Sequence, residues 1–372
     1  MRRILTIDGG GVKGVFPASF LATLEDALGD KVANYFDLIV GTSTGGIIAL
    51  GLGLGLSAQD MLKLYVEKGP VIFGGHRIGR WIRSWGWSKY DSQSLKNRRM
   101  PPPLGGGGRR TDSPLHEGAA PALFGSDDTS RIGMAKMPPP LGGGVSLRQA
   151  LEGIFGDARL SQSAKRLVIP SCSLETGKVH VYKTAHHDRL ERDYKERVVD
   201  VALATAAAPT YFPTHRSAAG TPLVDGGLWA NNPAGMAVVE AIGILGWPRD
   251  AIRVLSLGCT TEPLKVGWAR CLPLGQLYWG LKVTDVFLAT QSSASLGTAQ
   301  LLVGHQNVIR VSPHVPHGRF SLDGWNEINS LRGLGDTEAR EALPSLRPLF
   351  FQSHAEPFTP HYQLPVGANA AF

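Results

Sequence analysis

Residues 38–59 read LIVGTSTGGIIALGLGLGLSAQ and carry no charged side chain. A run of this length can span a bilayer, or it can fold as a strand, a sharp turn and a helix buried between other layers. Its six glycines and the Thr-Ser-Thr cluster in its first third favour the second solution. A strand and helix without charge need apolar cover on both sides. The chain is therefore expected to be a layered α/β protein with a mostly parallel sheet.

The rest of the sequence fits that demand. Strand signals stand at Ile4–Ile7, Phe36–Val40, Leu167–Ser171, Val179–Tyr182, Leu223–Val224, Arg253–Ser256 and Val308–Val311. Helix signals alternate with them at Phe16–Leu28, Gly46–Leu56, Met61–Lys68, Val198–Ala208 and Pro233–Leu245. Ser57-Ala58-Gln59-Asp60 reads as an N-cap. Beyond about residue 262 helices such as Asp285–Leu302 dominate.

Two strand–glycine–helix junctions carry chemistry. Gly41-Thr42-Ser43-Thr44-Gly45 is G-x-S-x-G between a strand and a helix, the setting of a nucleophile elbow. The turn presents the Ser43 hydroxyl at the strand's C-terminal end, and the Thr44 amide points where an oxyanion would form. The second junction is IDGGGVKG, Ile7–Gly14. Gly9-x-Gly11-x-x-Gly14 also satisfies the dinucleotide fingerprint, so an NAD(P)-binding oxidoreductase is the alternative. That fold needs an acidic residue at the end of the second strand. Here Asp37 lies near the strand's start, and Asp8 would repel a pyrophosphate.

Ser43 needs a base. A short strand ends in Asp225-Gly226-Gly227 within TPLVDGGLWANNP, which would put a carboxylate at the sheet edge that holds Ser43. This suggests a Ser-Asp dyad. A Ser-His-Asp esterase using His314 or His317, in SPHVPHG, stays open. A carboxylate of ordinary pKa is a weak base for a hydroxyl, so burial should raise it. Such a site suits esters better than amides.

IDGGGVKG, GTSTG and DGG, in this order, resemble the patatin-like phospholipases, as do ATAAAPTYFP (Ala204–Pro213) and GLWANNPA (Gly227–Ala234). The likeness covers roughly residues 3–260. It implies a three-layer fold with a mostly parallel central sheet flanked by helices, and a helix-rich C-terminal part. It implies Ser43 as nucleophile, Asp225 as base, and an oxyanion hole from Gly9, Gly10 and Gly11 with the Thr44 amide. Lys13 stands where the family often has Arg, and it would support the loop together with Gly14, Gly41, Gly45, Gly226 and Gly227. The activity implied is that of a phospholipase A or lysophospholipase acting on membrane lipid, without metal or cofactor. ATQSSASLGTAQLLVG (Ala289–Gly304) and LDGWNEINSLRGLG (Leu322–Gly335) are further similar to bacterial patatin-like effectors of antiphage systems. That likeness implies a cyclic dinucleotide activator and allows a homo-oligomer. Arg310, Arg319 and Arg332 are candidate anion contacts.

Residues 100–107 and 137–144 are the same word, MPPPLGGG, bracketing a polar stretch. Proline and glycine bar regular structure there, so residues 96–145 are expected to be a disordered insertion before a helix. It holds seven basic and four acidic residues, so +3 of the net +7 comes from it. The remainder is a weak case for DNA or RNA. Gly75–Tyr90, with Trp81, Trp85, Trp87 and Tyr90 among cations, is either a packed helix or an element meeting a lipid headgroup boundary. Cys172, Cys259 and Cys271 show neither disulfide nor metal-ligand spacing. A cytoplasmic protein, peripheral at the inner membrane when active, is expected. Its catalytic domain is expected over residues 1–260, with a C-terminal region over 261–372.

Overall fold

A computed structural model describes residues 1–69, 72, 147–209, 211–263 and 276–364, with side chains absent from the description at 276–282. The 96–145 insertion and the Trp81–Tyr90 segment lie outside the described residues.

The elements run β1 (Arg2–Ile7), α1 (Val15–Leu28), β2 (Leu38–Gly41), α2 (Thr44–Gly53), α3 (Ala58–Lys63), α4 (Leu147–Phe155), β3 (Arg166–Ser173), β4 (Val179–Lys183), α5 (Val198–Thr205), β5 (His215–Arg216), β6 (Pro222–Asp225), α6 (Gly227–Ala230), α7 (Ala234–Gly243), β7 (Ile252–Leu257), α8 (Gln276–Val303), β8 (Val308–Val311) and α9 (Ile328–Phe350). The sheet order is β5-β6-β3-β2-β1-β7-β8, with β4 against β3. β3, β2, β1, β7 and β8 are mutually parallel, and the pairs β3–β4, β3–β6 and β5–β6 are antiparallel.

Both faces of the sheet are covered, and the period of two along each strand assigns its side chains. Leu5, Ile7, Ile39, Leu255 and Leu257 join Phe16, Phe20, Phe36 and Phe350 in one apolar core. Ile4, Leu38, Val40 and Val254 join Ala237, Val238, Ala299 and Val303 in the other. Strands buried on both faces read as continuous apolar runs, which is how β1, β2 and β7 read. Helix α2 is buried along its whole length, so the uncharged stretch that could have been a membrane span is an interior strand, turn and helix. Ser57 then starts α3 with a capping box: its hydroxyl accepts from the Asp60 amide, and Asp60 Oδ2 accepts from the Ser57 amide.

The C-terminal residues complete this body. β8 extends the sheet beyond β7, and α9 lies on α1, where Ser19 Oγ donates to the Arg332 carbonyl (2.8 Å) and Thr23 Oγ1 to Asp336 Oδ1 (3.0 Å). Pro344 and Pro348 lie inside α9 and argue against a helix on propensity. Leu331, Ala339, Leu346 and Phe350 are nevertheless aligned on its buried face. Tertiary packing outweighs the two missing donors. No helix among the described residues is long and apolar enough to cross a membrane.

Candidate active site

β2 and β6 bring the two halves of the site together. Val168 of β3 pairs with both Val40 and Lys183, and Ser171 pairs with both His180 and Asp225. A strand has two edges, and β4 occupies one of them throughout. β2 and β6 therefore share the other edge, β6 taking over where β2 leaves the sheet at Gly41. Ser43 lies just past the end of β2, and Asp225 at the end of β6.

The turn after β2 is strained at Ser43. Ser43 has φ 54° and is the one non-glycine residue with positive φ among the described residues. Neighbouring structure holds it there. Its amide donates to Thr205 Oγ1 (3.0 Å), and that hydroxyl donates to the Pro170 carbonyl (2.6 Å). Thr42 Oγ1 donates to the Ala230 carbonyl (2.6 Å), and the Thr42 amide to the Ile7 carbonyl (3.1 Å). At Gly45 a Cβ would overlap the carbonyl oxygens of Ile7 and Asp8, and at Gly41 it would overlap that of Gly45, so β1, β2 and α2 can approach this closely only with glycine at both positions.

Ser43 Oγ donates directly to Asp225 Oδ2 at 2.6 Å, and Asp225 Oδ1 accepts from the Gly227 amide at 2.6 Å. The carboxyl group is buried. Desolvation pushes its pKa up to about 6, against the opposing hydrogen bonds from Ser43 and Gly227. Neither His314 nor His317 is bonded to Ser43 or Asp225. His314 bridges to Thr261, and His317 Nδ1 faces Glu262 at 3.8 Å.

The glycine loop lies beside this pair. Gly9 abuts Ser43, but its amide is already bonded to the Asn231 carbonyl (3.0 Å). The Gly10 amide donates to Thr44 Oγ1 (3.2 Å). Gly11, at φ 58°, meets the Leu322 carbonyl and turns the loop into a 3-10 segment over Gly11–Gly14. Among the described residues, the amides of Gly11 and Thr44 make no hydrogen bond. Gly14 rests against the Thr44 side chain, and the Gly226 amide donates to the Thr205 carbonyl (3.3 Å). Lys13 Nζ stands 3.4 Å from Glu262 Oε1, which ties the loop to the segment after β7.

Backbone groups around the pair are satisfied locally, and two of the arginines expected as anion contacts are paired with carboxylates. Asn232 Oδ1 accepts from the Ala234 amide (3.0 Å), and the carbonyl that meets the Asp225 amide belongs to Ala207 (3.0 Å). Arg310 is not an open anion contact: its guanidinium is taken up by Asp8 and Ser256. Arg319 faces Glu327 (3.4 Å). Thr205, which fixes the elbow amide, was legible only as part of the ATAAAPTYFP run.

The sequence matches the family model for patatin-like phospholipase over residues 5–238. It is 30% identical to a cGAMP-activated phospholipase of Pseudomonas aeruginosa, over 96% of this chain and 92% of that protein. It is 29% identical to another from Vibrio cholerae, over 96% of each chain. A third, from Escherichia coli, is 32% identical over 64% of this chain and 55% of its own length. With the layered fold and the two glycine-flanked junctions in place, the chain belongs to the patatin-like phospholipase family.

Proposed function

We propose that the protein hydrolyses carboxylic ester bonds of membrane phospholipids through a Ser43–Asp225 dyad. The observation that carries this reading is the 2.6 Å hydrogen bond from Ser43 Oγ to Asp225 Oδ2, made by a serine held at φ 54°. Ser43 Oγ attacks the acyl carbonyl while its proton passes to Asp225 Oδ2. The carbonyl oxygen becomes an oxyanion facing the amides of Gly11 and Thr44, with Gly10 able to exchange its 3.2 Å bond to Thr44 for the same task. Gly9 contributes shape rather than a donor. Collapse expels the lysolipid alkoxide, which takes the proton back from Asp225. Water then repeats the sequence on the acyl-serine, with Asp225 again as base. A carboxyl of pKa about 6 is ionised at neutral pH yet basic enough to accept the hydroxyl proton in the transition state.

A lipid substrate requires the site to meet a bilayer surface. Leu228 and Trp229, on the helical turn right after Asp225, are 43% and 38% exposed and suit that contact. The names of the two relatives that span this chain nearly end to end support a cyclic dinucleotide activator.

The decisive experiment measures fatty-acid release from phospholipid vesicles by the wild type, Ser43→Ala and Asp225→Ala, with and without a panel of cyclic dinucleotides. Both substitutions are expected to lower the activated rate by about a thousandfold or more. Activity that survives Asp225→Ala but not His314→Ala would replace the dyad with a triad.

A further inference from the structure

The C-terminal part of the chain reaches the glycine loop through a buried ion pair. Asp8, the residue before the three glycines, is 4% exposed. Its carboxylate receives both terminal nitrogens of Arg310, Nη1 on Oδ1 at 2.8 Å and Nη2 on Oδ2. Nη1 also donates to Ser256 Oγ (2.8 Å), the residue paired with Arg310 across β7 and β8. The fork fixes the direction of the carboxylate as well as neutralising it, and a lysine could offer only a point charge. Space for it is reserved: a Cβ at Gly258 would come 2.6 Å from Nη2.

The Asp8 backbone is held at the same time. Its amide donates to the Leu257 carbonyl (2.9 Å), and Cys259 Sγ reaches the carbonyls of Asp8 (3.8 Å) and Gly9 (3.6 Å). Burial pushes the Cys259 thiol up to about 12, so it stays a protonated donor. The next residue, Gly9, is so close to Ser43 that an added Cβ would lie 3.0 Å from Ser43 Cβ. Moving Asp8 therefore moves the loop against the nucleophile. A simple edge-strand staple would need the charge pair, but not its placement at the root of this loop.

We propose that Arg310 is a positioning residue for the oxyanion loop, setting through Asp8 the separation between the Gly10 and Gly11 amides and Ser43 Oγ. This inference rests on the reading of Ser43 as nucleophile. It is tested on the full chain with Arg310→Met, Arg310→Lys, Asp8→Asn and the double variant Asp8→Asn/Arg310→Met. The readouts are kcat and KM on a soluble short-chain ester, and the rate of covalent labelling of Ser43 by a fluorophosphonate. Near-UV circular dichroism identifies the temperatures at which each variant is folded. In Arg310→Met, kcat and labelling rate should both fall about tenfold to a hundredfold with KM within about twofold, since small misplacements at a reacting centre cost that much. Arg310→Lys should recover part of the loss. The double variant should be less impaired than the two single losses combined, because it leaves no buried charge unpaired. Arg310→Lys carries the test if Arg310→Met does not fold. Wild-type kcat and labelling in a folded Arg310 variant, or a loss confined to KM, overturns the positioning role alone. A wild type that is not labelled at Ser43 overturns the nucleophile reading and this one with it.

Discussion

If Asp225 is the base of the proposed dyad, it shows at the scale of one residue how function and stability oppose each other. Its pKa is about 6 in the folded protein and about 3.9 in an unfolded chain. The folded state therefore holds the proton more tightly. The contribution to stability is full below about pH 4 and is lost as the pH rises through about 6. At neutral pH the ionised, desolvated carboxylate costs the fold on the order of 2–3 kcal/mol. Asp225→Asn keeps an acceptor for the Gly227 amide and removes the charge. We expect it to raise Tm by several degrees at about pH 8, with the advantage gone near pH 4, while activity is lost. Equal Tm differences at both pH values would show that the buried charge is not the cause. The wild-type kcat/KM should instead rise with pH, reaching half its maximum near pH 6. Ser43 and Asp225 were legible because each sits in a local word whose neighbours are dictated by the turn it makes. The partners of Thr205 and Arg310 were not. A threonine in an alanine-rich helix and an arginine on an edge strand look alike whether they face solvent or a buried partner.

Elements were legible where periodicity is strong. β1, β3, β4 and β8 begin or end within about two residues of the apolar runs that announce them. The helix-rich C-terminal part was expected, but the bounds of α9 were not, because Pro344 and Pro348 mask a helix whose stability comes from packing on α1 rather than from propensity. β5, two residues long, has no pattern to read. α6 is a single turn, and what matters is what it displays. Leu228 and Trp229 are exposed although the helix starts two residues after the buried Asp225. Replacing both with serine should lower hydrolysis of phospholipid vesicles by about tenfold, in line with the loss of a few kcal/mol or less of apolar transfer into the bilayer. Turnover of a soluble short-chain ester, measured on the same preparation, should stay within about twofold. Equal losses on both substrates would point to a disturbed dyad rather than a lost bilayer contact.

At the scale of the whole molecule, the family match ends at residue 238, but the described body does not. β7 and β8 complete one side of the sheet, and α9 covers α1. Leu331, Leu346 and Phe350 are almost fully buried and stabilise the fold by about 1.5–3 kcal/mol each. Their sum is comparable with the roughly 5–15 kcal/mol by which a typical protein is stable. A chain ending at Gly304 loses them together with the partner of Asp8. It should show no cooperative transition in differential scanning calorimetry. A sharp transition near the wild-type Tm would mean that residues 1–304 form a self-sufficient domain.

The sequence alone determined the layered class, the elbow at Ser43, the carboxylate at Asp225 and the rejection of a membrane span for residues 38–59. Each follows from short-range rules: the period of two in strands, the room that glycine leaves in a sharp turn, and the cost of burying charge. Tertiary structure alone decided which groups the motifs meet. β6 takes the edge of β3 that β2 vacates, Gly9 spends its amide on Asn231, and Arg310 crosses 302 residues of sequence to reach Asp8. Such pairings depend on which distant strand fills a free edge. That is settled by the burial of the whole sheet, not by any word along the chain.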